Sequence, residues 1–142
     1  RDAMNRAGLG EFISVLNEDP MSAMESLRQR PDKPTAIVAY NDRVAVPLLH
    51  ACWTLGVRVP DDLAVVTFND VLMTRHSIPP LTTIDVSTQA MAERAAALLL
   101  ERISQRSKGT DPNTWASGNA HVVLPPTLIP RESTRRVLSR PA

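Results

Sequence analysis

Two short apolar runs constrain the fold of this chain more than any other feature of its sequence. Residues 35–40 and 63–68 are continuous apolar runs rather than alternating ones, and both are rich in β-branched residues. Such runs are typical of strands covered on both faces in a parallel sheet. A helical pattern lies between them at residues 43–55. The segment therefore predicts a βαβ unit with a right-handed crossover, in an α/β fold with helices on both faces of the sheet.

Helix signals occur on both sides of the first run. Asp19-Pro20 predicts a helix start, since Asp caps well and Pro suits the first helical position. Asp42 is the predicted cap of the helix at residues 43–55, and Gly56 ends it. Pro47 removes one backbone hydrogen bond within this helix and is expected to bend it.

The strongest helical pattern covers residues 88–104. Its wide apolar face consists of Met91, Ala92, Ala95, Ala96, Leu99 and Ile103. Residues 105–120 are polar and turn-rich, which predicts a mobile surface loop. The final residues 121–129 are strand-like, and the pair Pro125-Pro126 confines such a strand to a sheet edge or a bulge.

The sequence shows no catalytic, metal or cofactor motif. Its glycines form no phosphate-binding loop, and His50, His76 and His121 lack the spacing of metal ligands. Cys52 lies two residues from His50 on one helix, so the two side chains face different directions. Asp70 ends a strand as a receiver phospho-acceptor does, but the further acidic residues and the Lys of such a site cannot be placed. We therefore predict no enzymatic activity, no bound metal and no cofactor.

Charge and composition argue against direct nucleic-acid binding and against a membrane span. The net charge is +1, without the basic excess that a nucleic-acid-binding domain usually shows on one face. The single Cys52 fits a reducing cytoplasm, and no apolar run has the length of a membrane span. The chain begins with Arg1 inside a helical pattern, so we expect it to be a segment of a longer protein.

Two amide side chains follow the two predicted strands. Asn41 comes after the first strand and Asn69 after the second, which brings both to the same edge of a parallel sheet. An amide carries donors and an acceptor, as sugar hydroxyls or the edge of a nucleobase require. Alternatively, Asn41 and Asp42 cap a helix while Asn69 and Asp70 shape a turn. The residues by themselves leave both interpretations open.

Four blocks of sequence, taken in order, resemble the lactose/galactose repressor (LacI/GalR) family. They span residues 34–42, 55–70, 79–84 and 124–134, and their most specific parts are Asn41-Asp42, Phe68-Asn69-Asp70, Pro79-Pro80-Leu81-Thr82-Thr83-Ile84 and Arg131-Glu132-Ser133-Thr134. The third block is interpreted as an extended segment that leaves the sheet. Each block is weak alone, but together they cover nearly the whole chain at the family's spacing.

The resemblance implies that residues 1–142 are the C-terminal part of a two-lobed, periplasmic-binding-protein-like (type I) effector domain. Residues 84–105 would cross to the N-terminal lobe, most of which is missing here, as is the helix-turn-helix DNA-binding domain. The apolar face of the helix at residues 88–104 would then lack its usual cover. We predict that this face packs against a second copy of the chain or swaps between chains.

The resemblance also implies roles for individual residues. Asn41, Asn69 and Thr88 match effector-binding positions, although Asn69 stands where Asp is usual and a Thr at position 88 cannot stack on a sugar ring. Thr67 likewise replaces the family's usual Gly. The family dimerises through surfaces that correspond here to Val46, Leu49, His50, Trp53, Leu72, Met73, Ser77 and Ile78.

The predicted function is effector sensing in a cytoplasmic transcription regulator. A small molecule, a sugar or a related metabolite, would bind the homodimer and change its affinity for operator DNA through the missing helix-turn-helix domain, with no membrane involved. One alternative is a sugar-binding receptor of a transport system with the same fold, which an upstream signal peptide would favour. A second alternative is an α/β enzyme, which the lack of a catalytic constellation disfavours. The tail block at residues 131–134 favours the regulator.

Overall fold

The computed structural model describes residues 1–107 and 122–135 of the chain. In chain order the helices and strands are α1 (Asp2–Arg6), α2 (Pro20–Gln29), β1 (Ala36–Val38), α3 (Asp42–Thr54), β2 (Ala64–Phe68), α4 (Leu72–Arg75), β3 (Thr82–Asp85), α5 (Thr88–Ser107) and β4 (Thr127–Ile129). Two short 3₁₀ turns at Gly10–Phe12 and Glu132–Thr134 complete the described elements.

The strands form one sheet in the order β1-β2-β3-β4. β1, β2 and β3 are parallel, with Val38 opposite Val66 and Phe68 opposite Ile84. β4 is antiparallel to β3 at the sheet edge, as Pro125-Pro126 predicted. The α/β prediction with its central βαβ unit is confirmed.

The third resemblance block differs from its prediction. It does not leave the sheet, because its last residues form β3 between β2 and β4. The physical reason is the position of the prolines: Pro79 and Pro80 stop just before the strand, so they remove no hydrogen bond from it. The β-branched residues that follow suit a buried central strand, and Thr82 and Thr83 are both buried.

Side-chain caps begin the two core helices. The carboxylate of Asp19 accepts hydrogen bonds from the backbone N–H groups of Met21 and Ser22 at the start of α2, as predicted. For α3 the prediction of Asp42 as cap is wrong by one residue. The cap is Asn41, which keeps extended backbone geometry and accepts a hydrogen bond from the Val44 N–H, so that Asp42 becomes the first residue of the helix.

The hydrophobic core lies between the sheet and the helices α2 and α3. Its buried side chains are Met24, Leu27, Ala39, Ala45, Leu48, Leu49, Ala51, Cys52, Leu63, Val65 and Leu81. Because side chains alternate along a strand, Val38 lies on the opposite face from this core. Val38 is 66% exposed, so within the described residues the predicted helical cover is seen on one face of β1 only.

Helix α5 is longer than its sequence pattern predicted. It continues to Ser107, so residues 105–107 are helical and not part of a loop, while the rest of the predicted loop, from residue 108 on, lies outside the described residues. The predicted apolar face is exposed, with Met91, Leu99 and Ile103 all accessible to solvent. Residues 122–124 are not part of a strand, because Pro125 and Pro126 separate them from β4.

Candidate functional site

The carboxyl ends of the three parallel strands meet at one edge of the sheet. Asn41 follows β1 after a short extension, Asn69 directly follows β2, and Thr88 follows β3 at the start of α5. The ladder continues to this edge, since the Ala39 N–H donates to the Val66 carbonyl and the Asn69 N–H donates to the Ile84 carbonyl. The three predicted effector-binding residues therefore lie at the edge where ligands bind in open α/β sheets.

Asn41 performs the structural role that the sequence left open. Its side-chain Oδ1 lies 3.2 Å from the Val44 backbone nitrogen and caps α3. Within residues 1–107 and 122–135 its side-chain amide nitrogen has no hydrogen-bond partner, and the residue is half-buried. The cap therefore fixes the orientation of the side chain and leaves the NH₂ donors available at the sheet edge.

Asn69 and Asp70 both have positive φ, at 87° and 45°. Asn and Asp are the non-glycine residues that enter this region most readily, which explains why the chain turns here after β2. The two side chains then have different environments. Asn69 is exposed and Asp70 is buried. The turn-shaping role predicted for the pair is thus carried by the backbone, and the Asn69 amide is left facing solvent.

Asp70 has a structural role that the sequence did not reveal. Its Oδ2 lies 2.7 Å from Arg75 Nη2, and its Oδ1 lies 2.5 Å from Arg131 Nη2. Its own N–H donates to the hydroxyl of Thr83. The only signal in the sequence was the arginine of the tail block, whose partner lies 61 positions away and cannot be found by local pattern.

Six of the eight residues predicted for the dimer interface line one groove. Val46, Leu49, His50, Trp53, Ser77 and Ile78 line a shallow groove between α3 and the segment before β3. Ile78 is 93% exposed and Trp53 is 79% exposed, with the His50 ring stacked on Trp53 at a centroid distance of 6.0 Å. Leu72 and Met73 on α4 are exposed as well. Leu49 differs, because it is buried within the core cluster and offers little surface.

Among the described residues, the Cys52 thiol is not activated as a nucleophile. Burial raises the pKa of the Cys52 thiol to about 11, so the group is neutral and a poor nucleophile. In the part of the chain that the structure describes, no three His, Cys, Asp or Glu residues are grouped as metal ligands. No helix among the described residues is both long and apolar enough to span a bilayer.

Comparison with known proteins identifies the family of this chain. Residues 1–134 match the sequence profile of the periplasmic binding protein-like domain. The chain belongs to that family. Among curated relatives, the chain is 31% identical over 121 residues to the HTH-type transcriptional repressor PurR of Haemophilus influenzae, an alignment that covers 85% of this chain and 34% of that repressor. This periplasmic binding protein-like domain thus spans about a third of the length of its relative.

Solved structures of this periplasmic binding protein-like family agree with the assignment. A LacI-family regulator from Sanguibacter keddieii superposes with a TM-score of 0.74 at 27% identity, covering 94% of this chain and 51% of the other. A LacI-family regulator from Lactobacillus casei with bound glucose gives a TM-score of 0.62 at 25% identity, covering 80% and 38%. The resemblance to LacI/GalR regulators predicted from the sequence is confirmed.

Proposed function

We propose that the chain is the C-terminal part of the effector-sensing domain of a DNA-binding transcription regulator. The observation that carries this proposal is the position of Asn41, Asn69 and Thr88 after the carboxyl ends of neighbouring parallel strands, in a domain whose curated relatives include a transcriptional repressor. Operator binding would belong to a helix-turn-helix domain outside this chain. The second lobe that closes over the ligand would also lie outside it. Such a regulator works in the cytoplasm, where its DNA is.

The chemistry of this edge favours a neutral, hydrogen-bonding effector. Asn41 offers amide donors, the exposed Asn69 offers donors and an acceptor, and Thr88 offers a hydroxyl. Asp70, the nearest carboxylate along the chain to Asn69, is engaged by two arginines and is not available to a ligand. A sugar or a nucleobase has matching donors and acceptors, and glucose is the ligand bound to the Lactobacillus casei relative.

The mechanism is a shift of population between two arrangements of a dimer. The groove lined by His50, Trp53 and Ile78 is the proposed contact between copies, since it presents large exposed apolar side chains. A ligand that binds one arrangement more tightly than the other changes operator affinity by that difference in binding free energy, and by no more.

The test uses the complete gene product that contains this chain. Neutral hexoses, pentoses and purine bases are screened for a rise in melting temperature, and each hit is then tested for its effect on operator binding. Asn69→Gly removes the amide while accepting the positive φ, so it is expected to weaken binding of a hit by about tenfold and leave the fold intact. Glu93→Gln, on the exposed surface of α5, serves as the control.

Two results would contradict the proposal, and a third would exclude one residue from the site. One is a gene product with a signal peptide in place of a helix-turn-helix domain, which would make the protein a transport receptor. The second is a failure of every sugar and purine base to change operator affinity. The third, unchanged affinity in Asn69→Gly, would remove that residue from the site and leave the regulator assignment standing.

A further inference from the structure

The C-terminal tail is attached to the interior of the sheet by side-chain hydrogen bonds. The Ser133 hydroxyl accepts from the Thr82 N–H at 2.8 Å and donates to the Val65 carbonyl at 2.6 Å, bridging β2 and β3. Both hydrogen bonds are buried, as is Ser133 itself. The Arg131 N–H donates to the hydroxyl of Thr82 at 2.8 Å. This part of the tail is therefore fixed relative to the two strands.

Arg131 extends from the fixed tail to both ends of the segment between β2 and β3. Its Nη1 donates to the carbonyl of Leu81, the last residue before β3, at 2.9 Å. Its Nη2 contacts the carboxylate of Asp70, the first residue of the segment 70–81. One guanidinium thus joins the start and the end of residues 70–81, in the forked geometry that lysine cannot reproduce.

Asp70 is the centre of this connection. Its side chain is 6% exposed, and its two oxygens are used by Arg131 from the tail and by Arg75 from the end of α4. Arg75 is half-exposed, whereas the side chain of Arg131 is 17% exposed, so the Arg131 contact is the better shielded from water. Removal of Arg131 would leave a buried carboxylate with a single, solvent-screened partner.

The segment held in this way carries the exposed apolar side chains of the proposed dimer surface. Leu72 and Met73 lie between Asp70 and Arg75, and Ile78 lies between Arg75 and Leu81. Inside the segment, the Leu81 N–H donates to the Thr74 carbonyl, and the Ser77 hydroxyl donates to carbonyl groups of Thr74 or Pro79. The segment is a hydrogen-bonded platform that the tail holds near both ends, with Arg131 at Asp70 and Leu81 and the Ser133 N–H at the Pro80 carbonyl.

We propose that Asp70 and Arg131 are positioning residues for dimerisation, which hold the platform of residues 70–81 at the height and angle that a second copy of the chain requires. This inference rests on the dimer of the proposed function. Through this contact the tail influences the proposed interface. Asp70 directly follows Asn69, so the proposed effector edge and the proposed dimer surface share one anchor.

The experiment measures the dimer dissociation constant of the full chain by sedimentation equilibrium. The Ile78→Asp variant identifies the dimer in question, because a charge at position 78 should abolish association through the proposed groove. Arg131→Met is expected to raise this constant by about tenfold or more, the effect of losing one buried hydrogen bond to a charged group. Arg135→Met is the matched control: it removes an exposed arginine of the same tail and should change the constant by less than about twofold.

Two further variants separate positioning from general stability. Leu27→Ala removes a buried side chain of α2, so it lowers the melting temperature and should leave the dissociation constant within about twofold of wild type. Arg131→Lys retains the charge but loses the fork, and about a threefold effect is expected. If Arg131→Met does not fold, the Arg131→Lys result decides.

The outcomes are distinct. A wild-type dimer with unchanged affinity in Arg131→Met and Arg131→Lys would overturn the positioning role and leave the proposed dimer standing. An equal loss of affinity in Leu27→Ala would reduce the Arg131 effect to general destabilisation, which also overturns the role. A wild-type chain that stays monomeric contradicts the proposed dimer itself, and the inference with it.

Discussion

At the scale of single residues, polar side chains of this domain cap a helix and turn the chain at the same sheet edge where a ligand would bind. Asn41 caps α3, and Asn69 and Asp70 turn the chain at positive φ. A substitution at either asparagine therefore changes the local backbone as well as the chemistry offered to an effector. Variants at these positions must be chosen so that the two effects separate.

Asn41 allows such a separation. Asn41→Ala should lower the free energy of unfolding by about 1 kcal/mol, because it removes the cap of α3. Asn41→Asp retains a cap oxygen, so it should unfold at nearly the wild-type urea concentration while losing the NH₂ donors. Urea unfolding followed by circular dichroism measures the first effect, and effector titration measures the second. Equal stability of Asn41→Ala and wild type would show that the cap is unimportant.

At the scale of elements, the helix α5 stands apart from the rest of the fold. α2 and α3 bury Met24, Leu27 and Leu48 between themselves and the sheet. By contrast, α5 exposes Met91, Leu99 and Leu100 along its length of 20 residues. An amphipathic helix in water gains most of its stability from packing its apolar face, so this one requires a partner.

We expect that partner to be a second copy of α5 when the chain is studied alone. The expectation is tested in the Ile78→Asp background, where the other proposed contact between copies is blocked. Self-association that remains there should disappear in a variant that adds Leu99→Glu and Leu100→Glu, since buried charges without partners oppose association. Light scattering gives the mass in each case. A monodisperse monomer of Ile78→Asp would contradict the expectation.

The elements also show how far sequence patterns reach. The apolar runs predicted β1 and β2, and Asp19-Pro20 predicted the start of α2, because these signals are local. The prediction failed for residues 79–84, where the prolines suggested an exit from the sheet and β3 follows them instead. The pairing of Asp70 with Arg131 was also missed, because it depends on how distant segments meet and not on spacing along the chain.

At the scale of the whole molecule, exposed carboxylates with lowered pKa values contribute to stability in acid. The side-chain and backbone N–H groups of Arg58 lower the pKa of Asp62 to about 2. The pKa of Asp19 is lowered by its hydrogen bonds at the cap of α2, and that of Asp32 by its hydrogen bond from Arg30. In each case the folded state favours the charged form, so protonation favours unfolding.

The stability of the domain should therefore have a plateau with two flanks. The contribution of Asp62 is complete above its ordinary pKa of 3.8 and is lost as the pH falls through about 2. The contribution of the Cys52 thiol is complete below 9.0 and is lost as the pH rises through about 11. Urea unfolding across the pH range measures both flanks. Asp62→Asn should flatten the acid flank and Cys52→Ala the alkaline one. An unaltered acid flank in Asp62→Asn would contradict the assignment.

The bridge that Ser133 makes between β2 and β3 has a consequence for co-translational folding. Its hydroxyl joins the carbonyl of Val65 to the N–H of Thr82, and Val65 precedes it by 68 positions. While that serine is still inside the ribosome, both backbone groups lack this partner, and β2 and β3 are held together only by their own ladder. The sheet therefore gains this bridge only after Ser133 has left the ribosome, and a nascent chain that stalls short of this serine presents a sheet without it to chaperones and proteases.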